Sequence, residues 1–551
     1  MAVEKRAGTS FHWQAITIAK DPDAMIGTVR RLPARSAVAV IAGVITVALF
    51  TAACGVSAGR PQASSTHGLR AGPKKAPSAS AQPFPAAENA KPGTRAWIII
   101  HEGARDAIQG YADHVSVLPG QSFRLYVTTT AASFQVQAYR VGWYGGSQAH
   151  LVWSSASVPG QVQPAAAFVP GVNMVTAPWH PSLTVPTTGW PEGAYLLKLV
   201  APNGQRYVPI TVRSPSTVGK VVILQGVTTW QAYNLWGGYD LYSGPQGFAD
   251  RSRQVSFDRP YATDGAQWFL SFELAPIALA ERSGVPIAYE TDVDLEQNPS
   301  LLNGARALIS LGHDEYYSAA MRTALLGARG AGTNIAFFGA NAMYRHIRFA
   351  PSVLGADRIE ICYKVAGEDP LYGTDNSQTT QQWRDPPDPR PESVITGVFY
   401  ECNPVSAPYV VYDPGNWIFA GTGVRQGTSF PGMVGPEYDR VNPAVPIPRP
   451  IEVLAHSPLA CGGANSYADS AYYTTASGAG VFSSGTMRWV CAMRGTACGH
   501  GMTSAAQVFV DQATLNLLRA FAAGPAGLTH PAHDNLAVVK PASGSAYQGV
   551  G

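Results

Sequence analysis

Residues 307–318 read Ala-Leu-Ile-Ser-Leu-Gly-His-Asp-Glu-Tyr-Tyr-Ser, and this stretch decides the fold. Ala307–Leu311 is a short, mostly apolar run closed by a glycine, which is typical of a strand buried on both faces of a sheet. Charged and aromatic side chains follow at once. Because ligands in open α/β sheets bind at the carboxyl ends of the strands, the sequence predicts an α/β fold with its chemistry at this edge.

Strand and helix patterns alternate on both sides of this segment. Such alternation predicts a mostly parallel sheet with right-handed crossovers, and we assign residues 219–530 to one α/β domain. The predicted strands are Val221–Leu224, Ile287–Tyr289 and Asn334–Phe338, and the predicted helices are Trp268–Ser283 and Met321–Gly330.

An irregular stretch interrupts the alternation at about residues 357–436, which are rich in proline, glycine and polar side chains. We interpret this stretch as a large insertion over one end of the sheet. The regular pattern returns at Ile451–Ala455, at Gly480–Phe482 and in the predicted helix Asp511–Ala523. The α/β domain is therefore expected to continue beyond the insertion.

Residues 96–215 have a different rhythm, with short alternating or β-branched runs separated by turn pairs such as Pro119-Gly120 and Asn203-Gly204. Many short strands with this punctuation predict an antiparallel β-sandwich domain. The strands expected in it are Ser122–Thr128, Ser133–Tyr139, Gly193–Val200 and Tyr207–Val212.

The first 95 residues indicate export. Arginines precede an uncharged apolar run, Ser36–Ala53, that ends in small residues at Cys54. This order is typical of a secretion signal or a membrane anchor, and Cys54 resembles a lipoprotein acceptor. We therefore predict a cytoplasmic start and anchor at 1–54, a disordered Ala/Pro/Ser tether at 55–95 and a flexible tail at 531–551. The body is expected outside the cytoplasm, either secreted or anchored to the cell membrane.

The composition limits the partners. Charged residues make up 14% of the chain, the net charge is +3, and the basic residues are scattered, which excludes nucleic acid as the main partner. The cysteines lack zinc-site spacing, and an oxidising compartment would permit disulfides. We expect Cys362 to pair with Cys402, because both lie in the insertion. The cysteines beyond Cys54 are Cys362, Cys402, Cys461, Cys491 and Cys498.

Polar side chains follow three of the predicted strands. Tyr233 comes after the first, His313 and Glu315 come after the second, and Asn341 follows the third. If these strands are neighbours in the sheet, their ends deliver all four side chains to one rim. A histidine and a carboxylate two residues apart at such an edge contribute little to folding, so they indicate a functional site.

Two nearby residues also have structural explanations. Ser318 suits the N-cap of the helix near Met321, and Asp314 suits the positive end of that helix. Tyr233, taken alone, could be a packing aromatic.

At these residues the chain resembles the C-terminal domain of the N,N-dimethylformamidase large (beta) subunit family. The resemblance lies in Thr229–Asn234, Leu311–Tyr316, Phe338–Asn341 and the pair Tyr344-Arg345, and it extends from Trp97 to Ala523. It implies an immunoglobulin-like β-sandwich followed by a glutamine amidotransferase-like α/β domain. It further implies hydrolysis of a linear, non-peptide amide at one ferric iron (Fe³⁺) that is held by two tyrosines and one glutamate.

Carried over by position, the resemblance implies that Tyr195, Tyr233 and Glu315 bind the metal. His313, Asn341 and Glu452 would then orient the substrate or move protons. Phenolate and carboxylate oxygens are hard donors, which favour a hard Lewis acid such as ferric iron. An amide held beside such an ion would be polarised for attack by water.

The expected partners are a small-molecule or surface amide and, through the anchor, a membrane; the sequence is compatible with a homo-oligomer. The family enzyme works with a small subunit, and nothing in this chain supplies one. Two other functions stay open, a non-catalytic cell-surface binding module and a glycoside hydrolase that pairs Glu315 with Glu452 or Asp314. No Gly-x-Ser-x-Gly elbow supports a serine hydrolase.

Overall fold

The computed structural model describes residues 84–536. In the amino-terminal part of this range, two sheets enclose one apolar core. One sheet has the order β1-β3-β9 and the other has the order β2-β11-β10-β4-β5; neighbouring strands are antiparallel except for the pair β2–β11. The strands are β1 (Ile108–Ala112), β2 (Ser116–Val117), β3 (Ser122–Thr129), β4 (Ser133–Val141), β5 (Ala149–Ser154), β6 (Val158–Pro159), β7 (Ala167–Val169), β8 (Met174–Thr176), β9 (Leu183–Pro186), β10 (Gly193–Ala201) and β11 (Gly204–Val212). The four strands predicted here are confirmed.

A seven-stranded sheet with the order β14-β12-β15-β17-β26-β25-β24 follows. Its first five strands are parallel, and the last two are antiparallel. The strands of the sheet are β12 (Val221–Gln225), β14 (Ile287–Thr291), β15 (Ala307–Gly312), β17 (Asn334–Gly339), β24 (Ile451–Cys461), β25 (Ala464–Thr474) and β26 (Gly480–Ser483). Strands β12, β15 and β17 are neighbours, so the condition for their carboxyl ends to share one rim is met.

Helices cover both faces of this sheet, which explains why its parallel strands are apolar throughout. Ile309 and Phe338 face α4 and α9, whereas Leu308 and Phe337 face α6. The helices are α1 (Phe84–Asn89), α2 (Val227–Ala232), α3 (Gln267–Phe272), α4 (Leu274–Ser283), α5 (Asp292–Gln297), α6 (Ala319–Gly330), α7 (Ser393–Thr396), α8 (Arg488–Ala492) and α9 (Ser504–Ala523). None of these helices is both long enough and apolar enough to cross a bilayer.

Side-chain hydrogen bonds fix the start of α6 and the junction between α3 and α4. The Ser318 hydroxyl accepts a hydrogen bond from the Met321 backbone N–H, so the predicted N-cap of α6 is confirmed. The single helix expected at 268–283 is instead two helices that meet at Glu273. The carboxylate of Glu273 accepts bonds from Gly226 N and Trp230 Nε1, which ties the junction to α2.

The remaining strands form smaller sheets beside the seven-stranded one. One sheet has the order β13-β19-β18-β16. Two antiparallel pairs, β20–β23 and β21–β22, lie in the last part of the stretch expected to be an insertion and extend just beyond it. These strands are β13 (Gln254–Ser256), β16 (Tyr316–Ser318), β18 (Arg345–Ser352), β19 (Gly355–Ile361), β20 (Phe399–Cys402), β21 (Ala407–Val410), β22 (Ser429–Val434) and β23 (Tyr438–Arg440).

The predicted tether at 55–95 is wrong for its last residues. Phe84–Asn89 form α1, whose Glu88 is buried and accepts a hydrogen bond from the Tyr144 hydroxyl. The Asn89 side chain binds the backbone N–H groups of Trp143 and Tyr144. The amino-acid composition of a long segment does not reveal such contacts, and here the side chains of Glu88, Asn89 and Tyr144 are sufficient to anchor α1. The predicted anchor, residues 55–83 of the predicted tether and residues 537–551 of the predicted tail lie outside the described residues.

The expected Cys362–Cys402 disulfide is also wrong. Cys402 is bonded to Cys461, Cys491 is bonded to Cys498, and Cys362 is a buried free thiol. Cys362 packs in a separate apolar cluster with Ala232 and Tyr316. Nearness in sequence is a poor guide here, because Cys402 lies at the end of β20 and meets the end of the long strand β24.

Candidate functional site

Glu315 lies just beyond the carboxyl end of β15. The turn at Gly312 has a φ of 54°, and a Cβ there would lie 2.6 Å from Phe272 Cβ, so glycine is needed at this position. The backbone N–H of Glu315 donates to Thr229 Oγ1 at 2.9 Å, which fixes the strand end against α2. The Glu315 side chain is 1% exposed. The sheet thus holds this carboxylate rigidly in the interior.

Two tyrosine hydroxyls converge on this carboxylate. Tyr233 donates to Glu315 Oε2 at 2.6 Å, and Tyr242 lies 2.8 Å from Oε1 and 3.0 Å from Oε2. The two hydroxyl oxygens are 2.9 Å apart, and the rings stack with their centroids 4.5 Å apart. Three side chains therefore bring four oxygen atoms to one point.

Arg259 anchors the loop that carries both tyrosines. Arg259 is buried, and among the described residues it forms no ion pair. Its guanidinium donates to the carbonyl oxygens of Asn234, Trp236 and Tyr239 at 2.9–3.1 Å. Because these carbonyls lie between Tyr233 and Tyr242, Arg259 fixes the position of one phenol relative to the other.

A second carboxylate, that of Glu437, lies near Glu315, and His313 lies between the two. The Nε2 atom of His313 is 3.5 Å from Glu315 Oε2 and 3.6 Å from Glu437 Oε2. Glu437 accepts a hydrogen bond from Asn403 at 3.0 Å and another from the Asn341 side chain. Asn341 has a φ of 59° and is fixed by Asp439, which accepts its backbone N–H at 2.8 Å. His313 therefore connects the tyrosine cluster to a buried carboxylate.

Two cationic side chains flank the cluster. Arg345 Nε lies 3.4 Å from Glu315 Oε1. Lys364 Nζ lies 3.6 Å from the centroid of the Tyr242 ring and donates to the Tyr316 hydroxyl. Burial, together with the nearby Arg345, lowers the pKa of Lys364 to about 7. The positive charges make this a suitable place for anionic oxygens.

The protonation states follow from these contacts. Burial alone would raise the pKa of Glu315, but the neighbouring His313 imidazole and the charges of Lys364 and Arg345 lower it to about 2. Burial opposes protonation of His313, but Glu315 and Glu437 raise its pKa overall. Burial and then Glu315 raise the pKa of the Tyr233 and Tyr242 phenols, so both keep their protons unless a cation is bound.

The structure brings Tyr233, Glu315, His313 and Asn341 together, but it does not bring Tyr195 to them. Strand alternation in β10 points Tyr195 into the sandwich core beside Leu197. Its hydroxyl donates to the Pro191 carbonyl at 2.6 Å, and its ring stacks on Trp190. Tyr195 is therefore a packing residue, and Tyr242 occupies the place expected for it.

Glu452 also lies elsewhere. It belongs to β24, which is separated from β15 by three strands, roughly 19 Å at the usual strand spacing. Its carboxylate binds the Asn416 side chain and the His533 backbone N–H. Asp314 turns away as well, accepting bonds from Ser310 and Tyr317. Neither residue forms the carboxylate pair with Glu315 that a glycoside hydrolase would need.

Sequence reasoning missed Tyr242 and Glu437. Tyr242 lies in a glycine-rich loop without strand or helix spacing, so no pattern marks it. Glu437 follows Gly435 and Pro436 at the end of the predicted insertion, just before the short strand β23. A proline-containing turn that ends in an acid was the available signal, and it is a weak one.

The donors fit a hard metal ion. Residues 84–536 contain no cluster of three or more His, Cys, Asp or Glu side chains suited to a metal. The oxygen donors that converge are those of two phenols and one carboxylate. Oxygen donors of this kind favour hard, highly charged cations. Both ring nitrogens of His313 and the Oε2 atom of Glu437 are buried without hydrogen-bond partners, which leaves polar groups directed at the same interior space.

Comparison with known protein families identifies a family for this chain. The family model described as "N,N-dimethylformamidase beta subunit-like, C-terminal" matches residues 135–503, a range that contains every residue of the site. A search of curated proteins finds no match.

Proposed function

Because the chain belongs to the N,N-dimethylformamidase beta subunit-like family, we propose that it is a metal-dependent hydrolase of a linear, non-peptide amide. The observation that carries the proposal is the meeting of the Tyr233 and Tyr242 hydroxyls on the Glu315 carboxylate within 3.0 Å. These three side chains would hold the ion, and ferric iron suits their oxygen donors. When bound, the ion would polarise the amide carbonyl and acidify water.

The other residues of the site handle protons and orientation. His313 lies between two carboxylates that favour its protonated form, so it can donate a proton from its Nε2 to the departing amine nitrogen and be reprotonated through Glu437. Burial raises the pKa of Glu437, which makes this carboxyl group a better proton acceptor near neutral pH. Asn341 and Asn403 hold Glu437 in place and leave its Oε2 free to face His313.

Aromatic side chains beside the site restrict the size and polarity of the substrate. Trp268 and Phe272 pack against His313 with ring centroids 5.8 Å and 6.0 Å away, and Trp268 also packs on Tyr233. These rings exclude water and suit small apolar substituents on the amide nitrogen. We infer a small amide, or a short amide group on a surface, as the substrate.

The setting of the protein is also part of the proposal. The disulfides Cys402–Cys461 and Cys491–Cys498 suit an oxidising compartment, in keeping with the export signal expected at residues 1–54. We propose an extracytoplasmic protein, anchored through a lipid on Cys54 or through an apolar helix, or else secreted. An immunoglobulin-like sandwich and a glutamine amidotransferase-like domain are the finer fold assignments that the family resemblance suggests.

Elemental analysis and amide hydrolysis test the proposal together. The purified chain should contain one iron per molecule, show a visible tyrosinate-to-iron absorption band, and release amine from N,N-dimethylformamide or a similar small amide. Glu315→Ala should lose the metal and the band while keeping the wild-type circular dichroism spectrum. A colourless, metal-free wild-type protein would instead favour the non-catalytic binding module.

A further inference from the structure

Trp383 lies at the centre of a group of nitrogen-bearing side chains on the side of α6. Its ring is 1% exposed, and the His346 ring stacks on it at a centroid distance of 3.7 Å. The guanidinium carbons of Arg322 and Arg390 lie 5.0 Å and 4.5 Å from the Trp383 ring centroid. Three nitrogen-bearing side chains thus surround one indole.

Four nitrogens in this group have no hydrogen-bond partner within the part of the chain that the structure describes. They are Arg322 Nη1, Arg390 Nε, Trp383 Nε1 and His346 Nε2, and all four are buried. Buried polar atoms are nearly always paired, with protein, water or an ion. Four unpaired atoms around one ring therefore indicate a missing partner.

The charges decide what that partner is. Arg390 has Asp388 at 2.9 Å, whereas Arg322 is 3% exposed and, within residues 84–536, forms no ion pair. Its Nη2 atom donates a hydrogen bond to the Pro391 carbonyl at 2.9 Å. Burial, followed by the charges of Arg390 and Arg329, lowers the pKa of Arg322 to about 10, so it is still charged at neutral pH. One positive charge is left without compensation.

A water molecule would not supply this compensation. Arginine and indole nitrogens can only donate, so the partner must accept several hydrogen bonds, and a buried arginine needs a counter-charge. From the geometry we propose that Arg322, Arg390 and Trp383 form a binding site for one small monovalent anion, of the size of chloride. The site is separate from the tyrosine cluster, because it uses none of those residues.

The anion has a structural consequence. Arg322 belongs to α6, whereas Trp383 and Arg390 belong to the irregular stretch between β19 and α7. An anion shared by the three side chains would fasten that stretch to α6. Glu392, which follows in the same stretch, forms an ion pair with Arg384, which packs on Tyr344 beside the candidate active site. Binding is therefore expected to stabilise the segment next to the catalytic groups.

Thermal unfolding of the full chain tests the site in solution. Chloride is varied against gluconate at constant ionic strength, because gluconate is a much larger monovalent anion that screens surface charges equally. We expect a saturable rise in Tm on the order of 2 °C with chloride. Arg322→Met should abolish the rise. The control Arg282→Met, which removes a half-exposed arginine paired with Asp511, should retain it.

Diffraction from crystals soaked in bromide provides a measurement that does not depend on a variant folding. An anomalous peak within hydrogen-bond distance of Arg322 Nη1 and Trp383 Nε1 is the expected result. Trp383→Phe, which keeps the ring and removes one donor, should raise the chloride concentration at the midpoint of the Tm rise. The proposal is overturned by ordered water alone at this position, or by equal Tm values in chloride and gluconate.

Discussion

Glu315 is a carboxylate that stays ionised in the protein interior because cations and hydrogen-bond donors surround it. An isolated buried carboxylate would take up a proton, but His313, Lys364 and Arg345 all stabilise the negative charge of Glu315. The two phenols then complete a set of oxygen donors around it. The positions of Glu315, His313 and Asn341 after buried strands indicated this edge of the sheet, whereas Tyr233 was assigned to the site through the family resemblance.

Tyr242 and Glu437 could not be predicted in the same way. Each lies in an irregular segment, where position depends on tertiary contacts such as the Arg259 bonds beneath the tyrosine loop and not on a repeating pattern. Tyr195 was expected in place of Tyr242 because a positional match says nothing about the direction of a side chain on a strand.

Glu437→Gln tests the proton-transfer role. The amide side chain keeps the Asn403 contact but cannot accept a proton, so kcat should fall by roughly 10²-fold or more while metal content stays at the wild-type level. The matched control is Glu452→Gln, since Glu452 is also a buried carboxylate bonded to an asparagine side chain. Equal activity losses in the two variants would show that the effect is structural.

At the level of elements, the site depends on three adjacent parallel strands and on the loops that follow them. The apolar runs of β12, β15 and β17 were sufficient to predict these strands within one residue of their ends. Where the sequence departs from simple periodicity, as in the two-part helix at Glu273 and the small sheets of residues 399–440, side-chain anchoring determines the outcome.

The tyrosine loop gives a stability prediction. Arg259→Met leaves the carbonyl groups of Asn234, Trp236 and Tyr239 buried without donors, at a cost of about 1 kcal/mol or more for each. Urea denaturation should therefore show a loss of about 3 kcal/mol or more. Arg449→Met removes a half-exposed arginine paired with Asp534 and should cost less than about 1 kcal/mol. Similar losses in both variants would rule out an anchoring role for Arg259.

Strand β14 gives a pH prediction through Glu290, which is 1% exposed and has an unpaired Oε2. Burial, with help from Asp294, raises the pKa of Glu290 from 4.5 to about 9. The folded state therefore holds a proton that the unfolded state releases. The resulting stability is fully present below the unfolded pKa and is lost as pH rises through the folded pKa, with a slope up to about 1.4 kcal/mol per pH unit.

Glu290→Gln should remove this slope. Its free energy of unfolding, compared with that of the wild type, should improve as the pH rises from about 5.5 to about 8.5, as measured by urea denaturation at both pH values. Glu102→Gln, a change at an exposed acid, is the control and should follow the wild type. A constant difference between Glu290→Gln and the wild type would show that Glu290 is ionised in the folded protein.

At the scale of the whole molecule, a β-sandwich and an α/β part belong to one compact unit. The change of rhythm near residue 215 predicted both parts, because strand-rich and alternating segments differ in their periodicity. Disulfide pairing and the ordering of Phe84–Asn89 were not predictable, since both depend on which distant surfaces meet. The sandwich residue Tyr195 and the loop residue Tyr242 illustrate the difference between position in the sequence and position in the site.

The iron content of two tyrosine variants tests whether Tyr233, Tyr242 and Glu315 bind the metal. Tyr242→Phe should lose the metal and its visible absorption band, because one of the three ligand side chains is removed. Tyr195→Phe should bind iron as the wild type does, since the Tyr195 hydroxyl donates to the Pro191 carbonyl in the sandwich core. The reverse result, with iron retained in Tyr242→Phe and lost in Tyr195→Phe, would contradict the assignment of Tyr233, Tyr242 and Glu315 as the metal ligands.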